Sequence, residues 1–241
     1  MCGIIAAASE RNVGKLLVQG LHKMEYRGYD SAGIALHQND KIAHLRTLGK
    51  VKLLEEKMIS EKPKSKLGIA HTRWATHGEP SEENAHPHKS NDRVYIVHNG
   101  IIENYLDLKD FLKQEGYSFT SQTDSELIAH MLEYFLSKGN TMLDAMYLTK
   151  EKLDGAYAIA AIDKEDDTNI IIARSKSPLL IGVGIDEFLA ASDPLAIGQL
   201  TNEFIFLEDG DVAEISSQSY TIFDESKNKV DREITNIDIS S

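Results

Sequence analysis

The sequence contains a single cysteine, Cys2, among its 241 residues. One cysteine cannot form an internal disulfide framework or a cysteine-rich zinc site, so both kinds of scaffold are excluded. The sequence also has no apolar run that approaches the ~20 residues needed to span a bilayer. The N-terminus turns polar at residues 9–11 after a short apolar stretch, which predicts no secretory signal peptide. Together these absences predict a cytoplasmic protein.

Basic residues are also in the minority. The chain has 38 Asp and Glu against 26 Lys and Arg, which gives a formal net charge of −12. Such a surface repels phosphate backbones and anionic lipids, so we expect neither nucleic acid nor a membrane among its partners. The 41% hydrophobic content is ordinary for a globular protein, and 241 residues can enclose a large core in one domain.

Short segments rich in β-branched and small apolar residues recur along the chain and predict strands. They lie at residues 3–9, 31–37, 67–73, 94–99, 156–163, 170–175, 179–183, 188–192, 211–215 and 220–223. The late strands follow one another through short turns, which favours antiparallel pairing.

Apolar residues at helical spacing predict helices in separate blocks. Four helices begin near residues 13, 105, 123 and 141, and a weaker candidate covers 51–60. The third opens with Thr123 and Glu126 at the spacing of a capping box. Because the helices cluster in the middle of the chain and after the first strand, we expect them to cover outer faces. Two sheets with helices outside is one arrangement that buries both faces of each sheet.

Cys2 is the first candidate catalytic residue. Initiator Met1 is normally removed when the second residue is small, which would leave Cys2 with a thiol and a free α-amine. A terminal amine has a reference pKa near ~8, so a useful fraction is neutral at pH 7 and can accept the thiol proton. The alternative is that Cys2 is a small buried residue at the start of a strand.

Four further sequence blocks follow Cys2. They read EYRGYDSAG at 25–33, GIAHTRWATHG at 68–78, HNGIIEN at 98–104 and TDSE at 123–126. Together with Cys2 they closely resemble the glutaminase domain of the glutamine:fructose-6-phosphate aminotransferases, and the resemblance extends to about residue 225. It implies an α+β fold of the N-terminal-nucleophile hydrolase type, a four-layer αββα sandwich of two antiparallel sheets. It also implies hydrolysis of L-glutamine to glutamate and ammonia.

The resemblance assigns the chemical step to three residues. Cys2 would be the nucleophile that forms a γ-glutamyl thioester. The side-chain amide of Asn99 and the backbone N–H of Gly100 would form the oxyanion hole. Two such donors stabilise the charge that develops on the amide oxygen, and losing one typically lowers the rate by ~10²–10³.

Substrate recognition is implied by the same resemblance. Arg73 would bind the α-carboxylate of glutamine, for which a planar guanidinium is suited, and Asp124 would bind the α-ammonium group. One cation and one anion at a fixed separation select a free amino acid. The other implied contacts are hydrogen bonds from Thr76 and His77, a lid formed by Trp74, and a contact from Arg27 that fixes the terminal cysteine.

These residues also have ordinary structural interpretations. Asn99-Gly100 is a strong signal for a type I′ hairpin turn. Asp124 suits the first turn of a capped helix, where it would stabilise the helix dipole. A lone Trp74 at a strand end is typical of a core, and Arg27 suits a surface ion pair.

Three alternative functions compete with the glutaminase interpretation. The first is a metal site, but the spacing of the nearby histidines matches no recognised ligand pair, so we predict no metal and no cofactor. These histidines are His71, His77, His86, His88 and His98. The second is a non-catalytic effector-binding domain, which the loss of Cys2, Asn99 or Arg73 would indicate. The third is another amidotransferase, such as an asparagine synthetase or an amidophosphoribosyltransferase, which the blocks at 25–33 and 68–78 resemble less.

We expect a class II glutamine amidotransferase domain over residues 1–225. The polar segment 226–241 is expected to be a linker or a cut end before a sugar-isomerase domain. The resemblance implies that this further domain would alone bind fructose 6-phosphate and would use the ammonia to make glucosamine 6-phosphate. We expect the intact enzyme to be a homo-oligomer.

Overall fold

The computed structural model describes residues 1–239, which form two antiparallel sheets and five α-helices. The eight strands of the first sheet are β1 (Gly3–Ser9), β2 (Ser31–Gln38), β3 (Lys41–Leu48), β4 (Leu67–Arg73), β9 (Leu180–Val183), β10 (Glu187–Ala191), β11 (Glu203–Phe206) and β15 (Thr235–Asn236). The seven strands of the second sheet are β5 (His88–Ser90), β6 (Val94–Ile102), β7 (Gly155–Asp163), β8 (Ile170–Ser175), β12 (Val212–Ile215), β13 (Tyr220–Phe223) and β14 (Lys229–Val230). The first sheet has the order β15-β11-β9-β10-β1-β4-β2-β3, and the second has the order β14-β13-β12-β8-β7-β6-β5.

The helices cover the outer faces of the two sheets. Helices α1 and α2 pack on the first sheet, and α3, α4 and α5 pack on the second. Their bounds are α1 (Gly14–Met24), α2 (Val51–Glu61), α3 (Tyr105–Gln114), α4 (Glu126–Ser137) and α5 (Met142–Lys152). None of the helices within residues 1–239 combines the length and the apolar character that a membrane span requires.

The central strands are buried on both faces, which explains their continuous apolar sequences. In β1, Ile4 and Ala6 point into the core between the two sheets, whereas Ile5 and Ala7 point into the core beneath α1. The same alternation divides β6 between the inner core and the helices on the second sheet. The result is the four-layer αββα sandwich that the resemblance implies, and this part of the prediction is confirmed.

All the predicted strands are present, but the sequence analysis did not identify several others. The unpredicted strands are β3, β5, β11, β14 and β15. Strand β3 forms an edge of the first sheet, where polar residues such as Lys41 and Arg46 interrupt the apolar pattern. Edge strands need only one buried face, so composition identifies them poorly.

Two local predictions are wrong. Helix α4 begins at Glu126 after Ser125, and no side chain caps it, so Thr123 does not form a capping box. The Glu126 carboxylate instead accepts hydrogen bonds from the backbone of the preceding loop and from His130. Asn99-Gly100 is not a hairpin turn either, because both residues lie inside β6.

The predicted linker packs against the domain as far as it is described. Strand β14 extends the second sheet, and β15 extends the first. Between them, the Arg232 guanidinium forms two hydrogen bonds with the buried Asp211 carboxylate. Residues 240 and 241 of the predicted linker lie outside the described residues. The domain boundary at residue 225 stays a prediction.

Candidate active site

Cys2 lies at one end of the first sheet, directly before β1. The neighbouring strand β4 ends at Arg73, so the next residue, Trp74, lies beside Cys2. The Trp74 backbone N–H donates to Cys2 Sγ at 3.3 Å, and Sγ lies 3.5 Å from the Trp74 carbonyl oxygen. These contacts fix the thiol at the rim of the sheet.

The surroundings of the thiol favour its protonated form. Burial raises the pKa of Cys2, and this effect outweighs the opposite effects of the Trp74 N–H, the chain terminus and Arg73. A thiol of this kind needs a base before it can attack a substrate. In the structure the chain begins at Met1, whose amine donates to the Arg27 carbonyl oxygen at 2.8 Å. This carbonyl thus holds the amine of Met1, the residue before Cys2.

Asn99 contacts the same end of the first sheet from the second sheet. Its Nδ2 donates to the Cys2 carbonyl oxygen at 3.2 Å, and its Oδ1 accepts from His71 Nε2 at 2.9 Å. Gly100, the next residue of β6, has a φ of +117°, and a Cβ atom there would lie 2.1 Å from the Ala156 carbonyl oxygen. Only glycine fits this position, which lets the backbone line the site closely.

A small cavity of about 20 Å³, roughly the space of one water molecule, lies beside the thiol. It is lined by Cys2, Arg73, Trp74, Thr76, His77, His86, His98, Gly100, Thr123, Asp124 and Ser125. The structure therefore brings together seven of the nine residues that sequence analysis assigned to the site. The other two contact the start of the chain: Asn99 Nδ2 donates to the Cys2 carbonyl oxygen, and the Arg27 carbonyl oxygen accepts a hydrogen bond from the Met1 amine.

Arg73 is buried, and its donors are directed at acceptors of the protein. Nη1 lies 3.4 Å from Asp30 Oδ1 and 3.3 Å from the Glu79 carbonyl oxygen. Nη2 donates to the carbonyl oxygens of His77 and Gly78. The guanidinium thus holds residues 77–79 against the site. A substrate carboxylate would have to replace some of these carbonyl groups.

Asp124 is buried and also lines the cavity. Its Oδ2 accepts the backbone N–H of Ile102 at 2.8 Å, and its Oδ1 lies 4.0 Å from His77 Nδ1. Helix α4 begins two residues later, so the carboxylate is bonded to the end of β6 and does not lie in the first helical turn. The helix-dipole interpretation is therefore wrong, and one oxygen remains directed towards His77.

Trp74 is not a core residue. Its side chain is 51% exposed, and the ring covers Gly28, where an added Cβ atom would lie 2.9 Å from it. Arg27 does form an ion pair, because its guanidinium contacts Asp193 Oδ2 at 2.7 and 3.0 Å. This pair is largely buried and anchors the segment whose carbonyl accepts the N-terminal amine. The exposure of Trp74 is compatible with a lid, which stays a prediction.

The nearby histidines form hydrogen bonds within the protein. His88 Nε2 contacts Thr123 Oγ1 at 3.0 Å, and His98 Nδ1 contacts Ser125 Oγ at 2.7 Å. Among residues 1–239 no group of three or more His, Cys, Asp or Glu side chains could hold a metal ion. Sequence analysis missed the contact between His71 and Asn99. The available clue was that His71 lies two residues before Arg73 on β4. This spacing places both side chains on the same face of the strand.

Comparisons with known proteins identify relatives of this chain. A family profile described as "Glutamine amidotransferase domain" matches residues 71–199. The glutamine–fructose-6-phosphate aminotransferase (isomerizing) of Vibrio parahaemolyticus is 50% identical over 98% of this chain and 38% of its own length. The enzyme of the same name from Haemophilus ducreyi is 51% identical over 97% of this chain and 38% of its own length. The chain therefore spans less than two thirds of these relatives.

Solved structures resemble the fold closely. The glutamine phosphoribosylpyrophosphate amidotransferase of B. subtilis superposes with a TM-score of 0.81 at 26% identity, covering 95% of this chain and 50% of that one. A structure titled as the allosteric regulatory enzyme of purine biosynthesis gives a TM-score of 0.82 at 27% identity, covering 94% of this chain and 50% of that one. The fold is therefore that of the N-terminal-nucleophile amidotransferases.

The chain belongs to the glutamine amidotransferase domain family. Its near-complete alignment with 38% of the aminotransferase relatives confirms the expected correspondence to their glutaminase domain.

Proposed function

We propose that this chain hydrolyses the side-chain amide of free L-glutamine to glutamate and ammonia. One observation carries the proposal: Asn99 bonds to the backbone of Cys2 beside a cavity that Cys2, Arg73 and Asp124 line together. A nucleophile, an oxyanion donor and two charges of opposite sign are the parts that cleavage of an amino-acid amide requires.

The first half of the reaction forms a thioester. After removal of Met1, the α-amine of Cys2 takes the thiol proton, and Sγ attacks the amide carbon of glutamine. The C=O electrons move onto oxygen, where Asn99 Nδ2 and the Gly100 N–H stabilise the negative charge. When the C=O bond re-forms, the C–N bond breaks, and the nitrogen takes the proton from the α-ammonium group and leaves as ammonia.

The second half releases glutamate. The α-amine takes a proton from a water molecule as that water attacks the thioester carbon, and the same two donors stabilise the second oxyanion. The C–S bond then breaks, the sulfur recovers its proton, and the glutamate leaves. Because burial raises the pKa of the Cys2 thiol, few thiolates form without a base, and the α-amine supplies that base in this proposal.

Substrate selection depends on the two charged side chains. Arg73 binds the α-carboxylate through its planar fork, and Asp124 Oδ1 accepts from the α-ammonium group. A substrate that lacks either group would leave the other side chain buried and unpaired, which is unfavourable. Three further residues contribute in this proposal: Thr76 and His77 add hydrogen bonds to glutamine, and Trp74 covers it. Arg27 holds the N-terminus of the mature chain.

The proposal for the intact enzyme extends to a second substrate. The relatives are named for transfer to fructose 6-phosphate, and this chain aligns with 38% of their length. We therefore propose that the ammonia is delivered to a sugar-phosphate domain that makes glucosamine 6-phosphate. The intact enzyme is proposed to be a cytoplasmic homo-oligomer. A surface with net charge −12 disfavours nucleic acid and membranes as partners.

The central test measures glutamate and ammonia formation from glutamine by the wild-type chain and by C2A and C2S variants. We expect both variants to lose activity to background while retaining the native circular dichroism spectrum. Ammonia release by C2A at the wild-type rate would refute the mechanism. Fructose 6-phosphate should not alter the products, and sugar amination by this chain would contradict the need for a further domain.

A second test separates the amine from the thiol. Insertion of Lys between Met1 and Cys2 blocks removal of Met1, so the thiol is retained without a free α-amine. We expect a mass that includes Met1 and no ammonia release. The wild-type chain should have a mass without Met1 and take one adduct, on Cys2, from a glutamine analogue with an electrophilic γ-position. Full activity with Met1 retained would exclude the amine as base.

A further inference from the structure

The Asn99 carboxamide has two partners, and they decide which of its ends faces Cys2. Oδ1 lies 2.9 Å from His71 Nε2, and Nδ2 lies 3.2 Å from the Cys2 carbonyl oxygen. The oxygen and the nitrogen of a carboxamide have nearly the same shape, so the positions of the partners' hydrogens determine the orientation.

The hydrogen on His71 is fixed by a third group. His71 Nε2 also lies 3.0 Å from the His98 carbonyl oxygen, which can only accept. Nε2 must therefore carry the hydrogen, and the atom of Asn99 that faces it must be the oxygen. The NH₂ group of Asn99 is thereby directed at Cys2.

His71 is suited to hold this orientation. It is fully buried, and burial lowers its pKa to about 3, so the ring is neutral and keeps a single hydrogen near pH 7. The His86 ring stacks on it at 3.9 Å with an interplanar angle of 17°. The His86 backbone is itself pressed against Gly33 of β2, where a Cβ atom would lie 1.8 Å from the His86 carbonyl oxygen.

The contact also joins the two sheets. His71 belongs to β4 of the first sheet and Asn99 to β6 of the second. Cys2 precedes β1, which is paired with β4. The hydrogen bond from His71 to Asn99 therefore connects β6, which carries the proposed oxyanion donor, to β4, which pairs with the strand that follows Cys2.

We propose that His71 is a positioning residue for amide hydrolysis, which keeps the Asn99 NH₂ group directed at the developing oxyanion. This inference rests on the proposed glutaminase function. Without the Nε2–H donor, the carboxamide could rotate and present its oxygen to the oxyanion, which would repel it.

The test compares H71L, which removes the donor, with H71Q, whose amide places an N–H near the position of Nε2. We expect H71L to lower kcat for glutamine about 10²-fold, as for loss of an oxyanion donor, with KM changed less than about 3-fold. H71Q should recover kcat to within about 10-fold of wild type. H44L is the matched control, because His44 is a partly buried histidine that donates to the Pro87 carbonyl oxygen outside the cavity.

A double mutant distinguishes positioning from general packing. If His71 acts through Asn99, H71L should lower kcat no more than about 3-fold in an N99A background. A second loss of about 10²-fold there, an unchanged kcat in H71L, or equal losses in H71L, H71Q and H44L would each overturn the inference. If the H71L chain does not fold, H71Q becomes the deciding variant. A folded H71Q chain with a kcat about 10²-fold or more below that of wild type then overturns the inference. A wild-type chain without ammonia release would instead overturn the proposed function itself.

Discussion

The two walls of the cavity differ in how they are held. In the inner wall, residues 98–100 and 123–125, all residues but the half-buried Asn99 and the exposed Gly100 are buried. Its parts bond to one another and to the sheets, as in the contact between His98 and Ser125. The outer wall, residues 74–79, is mostly exposed and is held mainly by Arg73. The groups proposed for charge stabilisation are therefore set before substrate arrives. Recognition of the carboxylate requires an exchange of partners.

The exchange is energetically reasonable. The bonds from the Arg73 guanidinium to backbone carbonyls already involve a charged donor and contribute about 1.5–3 kcal/mol each. A carboxylate adds an opposite charge and accepts two parallel hydrogen bonds from the guanidinium, so it can replace these carbonyls if the loop adjusts. Changes at Asn99 in the inner wall should consequently lower kcat, and changes at Arg73, which holds the outer wall, should mainly raise KM.

The largest effect is expected for Asn99. N99A removes the donor, and N99D keeps the shape but places negative charge beside the oxyanion. We expect kcat at saturating glutamine to fall about 10²–10³-fold in N99A and at least as far in N99D. Initial rates of glutamate formation measure this. N104A is the control, because Asn104 bonds the Lys152 carbonyl oxygen away from the cavity. A raised KM with an unchanged kcat in N99A would remove the distinction between the walls.

A smaller effect is expected for Arg73. R73K keeps the charge but loses the planar fork, so we expect KM for glutamine to rise about 30-fold with kcat lowered less than about 5-fold. Selectivity for glutamine over 4-aminobutanamide, which lacks the α-carboxylate, should fall in parallel. R46K is the control, because Arg46 likewise donates to backbone carbonyls, those of Glu83 and Ala85. Unchanged selectivity in R73K would exclude Arg73 as the carboxylate partner.

The smallest effect concerns how the inner wall is anchored. Burial alone would raise the pKa of Glu126, but hydrogen bonds from His130, Ser121 and the Thr120 backbone lower it to about 2. A carboxylate with a lowered pKa stabilises the fold above its unfolded value of about 4.5, and this contribution is lost as the pH falls towards 2. We expect E126Q to lower the free energy of unfolding by on the order of 2 kcal/mol at pH 7.

The pH dependence provides the check on Glu126. Urea denaturation between pH 5 and pH 2 should show a smaller loss of stability in E126Q than in wild type, because glutamine does not titrate. E56Q, a change at an exposed glutamate of α2, should follow the wild-type curve. Parallel curves for wild type and E126Q would show that this carboxylate does not contribute.

Sequence analysis identified the parts of the site more readily than their connections. The strands on either side of the nucleophile have continuous apolar sequences, and the blocks around Arg73, Asn99 and Asp124 are distinctive. The contact between Asp124 and Ile102 joins residues 22 positions apart, and that between His71 and Asn99 joins residues 28 positions apart on different sheets. Such contacts depend on how the layers are superposed, and local propensity does not encode this. For the same reason the turn and capping signals at 99–100 and 123–126 were misleading.

The short strands β14 and β15 have a practical consequence for expressing this domain. Each pairs with a strand whose outer edge would otherwise be unpaired: β14 with β13, and β15 with β11. A fragment that ends at residue 225 would lack both strands, so the backbone N–H and C=O groups of β13 and β11 would be exposed to water and to other molecules of the fragment. Exposed strand edges of this kind pair with strands of neighbouring molecules. A fragment shortened to 225 should therefore precipitate at concentrations where one that extends beyond residue 236 stays monodisperse.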